Sequence, residues 1–117
     1  MTPIFVFGSN LAGRHGAGAA LFAVQNYGAI YGQGTGLQGN SYGIPTKDLV
    51  IKTLTLDAID RHIADFIDFA HQHPEYLFML TPIGTGLAGY NREQIFALVR
   101  KYDVPSNVTF TKEWFGL

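Results

Sequence analysis

A chain of 117 residues with no cysteine, eight basic and nine acidic residues and a net charge of −1 excludes a disulfide framework, a thiol nucleophile and a thiolate metal site. Its near-neutral balance leaves no basic stripe for duplex nucleic acid, and no apolar run approaches the roughly 20 residues of a membrane span. With no basic stretch ahead of the first apolar run to mark a signal peptide, the chain is predicted to be one soluble, cytoplasmic domain over residues 1–117, able to bury roughly two-thirds of its unfolded surface.

The first predicted element is Ile4-Phe5-Val6-Phe7, an unbroken apolar run that suits a strand buried on both faces of a parallel sheet. Gly8 ends it, and Ser9, Asn10, Arg14 and His15 follow in a glycine-spaced polar loop. From about Gly16 small and helix-forming residues lead to Gly28, a natural C-cap. Residues 32–43, GQGTGLQGNSYG, hold too much glycine for a regular element. Ile44-Pro45-Thr46 is then a short extended piece, placed at an edge or in an irregular strand because proline cannot donate to a ladder. Residues 49–56 alternate imperfectly, as a strand or a partly extended link.

Residues 57–71 predict a helix capped by Asp57, with Ile59, Ile63, Phe66, Ile67 and Ala70 on one face and Pro74 as its stop. Residues 76–83, YLFMLTPI, form a second strand that is apolar on both faces and runs into a second glycine loop, GTGLAGY. Asn91 and Gln94 make a capping-box pattern for a helix that buries Ile95, Leu98, Val99 and Tyr102. Residues 107–111 close as a last strand, and Trp114 and Phe115 are read as packing.

The glycines are clustered. Of 14, four lie between Gly8 and Gly18, six between Gly28 and Gly43, and three between Gly84 and Gly89. A strand feeding a glycine-rich loop that opens a helix presents backbone N–H groups to an anion. In an open α/β sheet the first and third clusters both emerge at the carboxyl ends of parallel strands, so they can face one ligand from two sides. The middle cluster follows a helix and starts from the other pole, with length enough to return.

Within the first loop, His15 is a candidate general base or phosphate contact, with an exposed loop histidine as the alternative. Asn10 can orient a ribose or a water, or stabilise a turn through its own backbone. Arg14 is a candidate phosphate contact. His62, His71 and His73 lie on or just past a charged helix without partners at metal-ligand spacing, so no metal or cofactor is implied. Thr46, Lys47 and Asp48 reach towards the site or simply form a turn.

Two segments resemble the macrodomain superfamily, whose fold binds ADP-ribose and its relatives. TPIGTGLAGY (residues 81–90), followed by a capped helix, is similar to that family's second phosphate loop. FGSNLAGRHGAGAA (residues 7–20) is similar to its first, and to a compact group of largely uncharacterised bacterial and phage proteins that carry this loop almost as it stands. The resemblance implies a three-layer α/β/α fold, macrodomain-like, with a mixed, largely parallel sheet and helices on both faces. It places Asn10 near the distal ribose, brings Gly16 and Gly18 close to that ribose and its phosphate, aims the amides of Thr85, Gly86, Leu87 and Ala88 at the diphosphate, and packs Tyr90 on a sugar face. Gly8, Ser9, Arg14, Gly84 and Gly89 complete the implied ligand site. The family's early aspartate, which recognises adenine, has no counterpart here, and neither do the acidic residues of its hydrolytic branches.

The implied function is binding of ADP-ribose, a related NAD-derived nucleotide or an ADP-ribosylated target. Hydrolysis of a phosphate or ADP-ribosyl linkage by a water held at Asn10 and His15 is its catalytic extension. The alternative is a protein-interaction or inhibitor module that keeps the fold and does no chemistry.

Overall fold

Ile4–Asn10 forms strand β1, and its unbroken apolar character is explained by its place at the centre of a five-stranded sheet with both faces covered. Side chains alternate across a strand. Ile4 and Val6 therefore enter one hydrophobic cluster, while Phe5 and Phe7 enter another on the opposite face. The computed structural model describes residues 2–117.

The remaining strands are β2 (Gly36–Gln38), β3 (Ser41–Lys47), β4 (Phe78–Leu80) and β5 (Val108–Phe110), in the order β2-β3-β1-β4-β5. β1 runs parallel to β3 and β4, β4 runs parallel to β5, and only β2 is antiparallel, so the sheet is mixed and largely parallel.

Helix α1 (Gly18–Tyr27) covers the Phe7 side with Ala20 and Ala23, small residues that let it lie close to the sheet. It ends where Gly28 adopts φ 72°, a left-handed cap that favours glycine. Helices α2 (Leu56–Gln72) and α3 (Arg92–Val99) cover the other side. There Ile59, Ile63, Phe66, Ile67 and Ala70 of α2 meet Tyr42, Ile44, Phe78 and Leu80, with Ile95 and Val99 from α3. The Asn91–Gln94 capping box opens α3 as its sequence predicts. No helix among the described residues is long and apolar enough to cross a membrane.

Several boundaries differ from the sequence reading. The glycine-rich stretch 32–43 contains β2 and the start of β3, and β3 is an interior strand buried almost throughout. Pro45 is tolerated there because β2 pairs only as far as Gly43, and Pro45 sits beside the register shift at Ser9/Asn10. Residues 49–56 form no strand beyond an isolated Lys47–Thr53 bridge. The cap of α2 is Thr55, whose hydroxyl accepts from Ala58 N–H at 3.2 Å, and Asp57 instead sits in the first turn, where the helix dipole favours it. β4 is three residues long, because the chain turns at Thr81 and Pro82 supplies no N–H for a ladder. Trp114 is buried and donates from Nε1 to Leu80 O at 2.7 Å, whereas Phe115 is exposed.

Candidate functional site

β1 and β4 are parallel neighbours, so the loops leaving their carboxyl ends stand side by side. A Cβ placed on Gly8 would lie 3.2 Å from Gly84 N, which measures how closely the two chain segments approach. Between them opens a cleft of about 540 Å³. Gly8, Ser9, Asn10, Arg14, Gly16 and Gly18 line one side, and Gly84, Gly86, Leu87 and Ala88 the other. Thr46, Lys47 and Ile51 extend the lining from β3 and the turn after it.

The first loop is shaped by Asn10. Its Nδ2 donates to Arg14 O at 2.8 Å, and its Oδ1 accepts from Arg14 N–H at 2.9 Å, closing the loop into a ring. The loop then delivers the chain to α1, whose N-cap is Ala17 and offers no side-chain acceptor. The first intrahelical bond is made by Leu21 N–H to Ala17 O at 3.2 Å. The N–H groups of Gly18, Ala19 and Ala20 therefore have no helical acceptor, and all three residues line the cleft. An uncapped helix start with free amides is an anion-binding terminus.

Across the cleft, Gly89 N–H donates to Gly86 O at 3.1 Å and Tyr90 N–H to Gly84 O at 3.0 Å, which folds residues 84–89 into a tight turn. Among the described residues, the amides of Thr85, Gly86, Leu87 and Ala88 donate to no protein acceptor. Gly16 and Gly86 have φ outside the left-handed region, and a Cβ on either would meet nothing within 4 Å. Internal packing gives neither position a reason to be glycine; close approach by something in the cleft gives one.

The charge of the cleft is one-sided. Arg14 and Lys47 line it, no aspartate or glutamate does, and neither cation is paired with a carboxylate among the described residues. The turn carrying Ile51 is built by Asp48, whose Oδ1 accepts from Val50 N–H and Lys52 N–H at 2.9 and 3.0 Å. Those two bonds hold the Asp48 carboxyl below its usual range. Ile51 sits at φ 64°, the one non-glycine residue with positive φ among the described residues, a strained conformation for a β-branched side chain. Thr53 Oγ1 donates to Ala88 O at 3.0 Å and ties this turn to the 84–89 loop.

Four candidates from the sequence do not line the cleft. His15 is 1% exposed and turned inward, and its Nε2–H donates to Gln33 O at 2.8 Å and Gln38 Oε1 at 3.2 Å. Its Nδ1 is buried without a partner, and Phe7 packs edge-on against the ring. His15 is therefore held beneath the loop and does not line the cleft. Thr85 donates its hydroxyl to Pro82 O at 2.6 Å. Gly89 closes the turn from behind. Tyr90 packs against the main core and donates to Leu54 O at 2.6 Å. His62, His71 and His73 lie on α2 or just past it and also stay clear of the cleft.

Sequence reasoning also missed lining residues. Tyr31 reaches the cleft because the middle glycine cluster does return to this pole. Gly32 N–H donates to Gly13 O at 2.8 Å, and Ser9 Oγ donates to Gly34 O. A tyrosine just ahead of a glycine run was the available signal. Ile51 had none, since its backbone conformation is set by the turn around it. No family model, curated protein or solved structure matches the chain.

Proposed function

We propose that this cleft binds ADP-ribose or a related NAD-derived nucleotide, held at its diphosphate, within a macrodomain-like three-layer α/β/α arrangement. The observation that carries the reading is the convergence of two sets of unpartnered amides, at the start of α1 and in residues 86–88, on one cleft that, among the described residues, holds two unpaired cations and no carboxylate. Such a surface favours a compact polyanion over a neutral or cationic ligand. The cover of both sheet faces, by α1 on one and by α2 and α3 on the other, supports the layered arrangement.

The reading is of a binding module. With His15 sealed under the loop and the Asn10 amide engaged with Arg14, the cleft presents no side chain placed to activate a water. Isothermal titration with ADP-ribose tests the proposal. Saturable heat with unchanged ligand recovered afterwards is expected; absence of heat at millimolar ligand removes the reading, and turnover removes its non-catalytic part.

A further inference from the structure

Apart from Tyr31, the neutral polar side chains in the cleft wall are already hydrogen-bonded to the protein. Thr46 Oγ1 donates to Ser9 O at 3.2 Å, Thr81 Oγ1 donates to Val6 O at 2.6 Å, Ser9 Oγ donates to Gly34 O, and Asn10 is closed on Arg14. These four residues are between 4% and 9% exposed, so they offer a ligand little surface as well as no spare hydroxyl hydrogen. The polar side chains left to meet a ligand are the cations Arg14 and Lys47 and the ring of Tyr31, which is 63% exposed.

Bases are told apart by hydrogen bonds to their edges, whereas stacking works on the π-face that every base has. The Tyr31 ring is well placed for the second task. It leans edge-on against the imidazole of His15, ring centroids 6.1 Å apart at 71°, and that imidazole is itself pinned by Gln33 and Gln38. An exposed aromatic backed by a fixed partner is a prepared platform, and it gives the buried histidine a positioning role.

We propose that the cleft recognises nucleoside diphosphates as a class, holding the diphosphate on its amides and cations and stacking the base on Tyr31 without selecting which base it is. The inference rests on the nucleotide reading above and narrows it. Adenine is then one accepted base among several, and ADP-ribose one ligand among several.

Titration calorimetry with ADP-ribose, ADP, GDP, UDP and CDP tests it on the full chain. The four diphosphates are expected to bind within about tenfold of one another, purines slightly ahead because they stack more area. Tyr31→Ala is expected to weaken all of them by about 5- to 150-fold, the range of one lost base–aromatic stack, while Tyr31→Phe keeps the affinity. Circular dichroism confirms that the Tyr31→Ala protein is folded, which its exposed position favours. Preference for adenine beyond about a hundredfold, binding of ADP-ribose with none of the four diphosphates, or an unchanged affinity in Tyr31→Ala each overturns the inference and leaves nucleotide binding standing. Silence of every ligand removes both.

Discussion

Replacing Gly86 with alanine separates ligand contact from folding. The added Cβ meets nothing within 4 Å, and φ lies outside the left-handed region. The methyl is therefore accommodated, and by narrowing the unfolded ensemble it raises stability by about 0.4–1 kcal/mol, or roughly 2–4 °C in Tm at about 4 °C per kcal/mol for a domain of this size. The same methyl stands among the open amides of residues 85–88. Moving a phosphate oxygen away from a single hydrogen bond to a charged group removes about 1.5–3 kcal/mol, a roughly 10- to 150-fold weaker Kd at 1.4 kcal/mol per decade. Scanning fluorimetry and calorimetry with ADP-ribose on one preparation read both effects. A folded Gly86→Ala protein with undiminished affinity refutes the assignment of residues 84–89 to the ligand. Gly34→Ala is the contrast, because its Cβ would fall 2.1 Å from Asn10 O. That clash forces the middle glycine segment away from the end of β1, with a stability loss of about 3 kcal/mol expected.

Asn10→Ala removes both bonds to Arg14, and at about 1 kcal/mol net for each the midpoint of urea unfolding should fall by an amount equivalent to about 2 kcal/mol. An unchanged midpoint means the ring 10–14 is held by other contacts. Ile51→Asn exchanges a β-branched residue in the left-handed region for one that tolerates it, so a stability gain of about 1 kcal/mol is expected by the same assay. A loss there shows that packing of the isoleucine outweighs its strain. The Tyr102 hydroxyl donates to Asp60 Oδ1 at 2.6 Å, and that bond, with burial and the charges of Asp60 and Asp68, pushes its pKa up to about 12. Since this lies above the roughly 10 of an unfolded tyrosine, its contribution is complete below pH 10 and is lost as pH rises towards 12. Urea unfolding as a function of pH should therefore show a shallower alkaline decline in Tyr102→Phe; Tyr42, pushed up to about 12 by its burial and then by Asp65, contributes to what remains.

Local signals made much of the fold legible. The apolar run at Ile4–Phe7, the left-handed cap at Gly28 and the Asn91–Gln94 box are each written within a few residues and each forms, although β1 does not end at Gly8 but runs on to Asn10, because Gly8, Ser9 and Asn10 stay paired with β3. The 3.6-residue repeat of Ile59, Ile63, Phe66 and Ile67 fixes which face of α2 is buried, for the same reason. Legibility failed where a residue's state depends on chain far away in sequence. β3 looks irregular by itself because Gly43 and Pro45 break its pattern, yet pairing with β1 on one side and β2 on the other makes it interior.

The candidate site divides along the same line. Sequence by itself determined that two glycine loops each follow an apolar strand and that backbone amides outnumber charged side chains there, because composition and spacing carry that information directly. Only the tertiary structure decided that His15 points inward, that Tyr31 returns to the cleft and that Ile51 is held in a strained turn. Each of those outcomes is set by groups outside the residue itself: Gln33 O and Gln38 Oε1 for the histidine, Gly13 O for the loop beside Tyr31, and the turn closed by the Lys47–Thr53 bridge around Ile51. A side chain's direction follows from acceptors that exist only once the chain has closed on itself, and no local pattern records them.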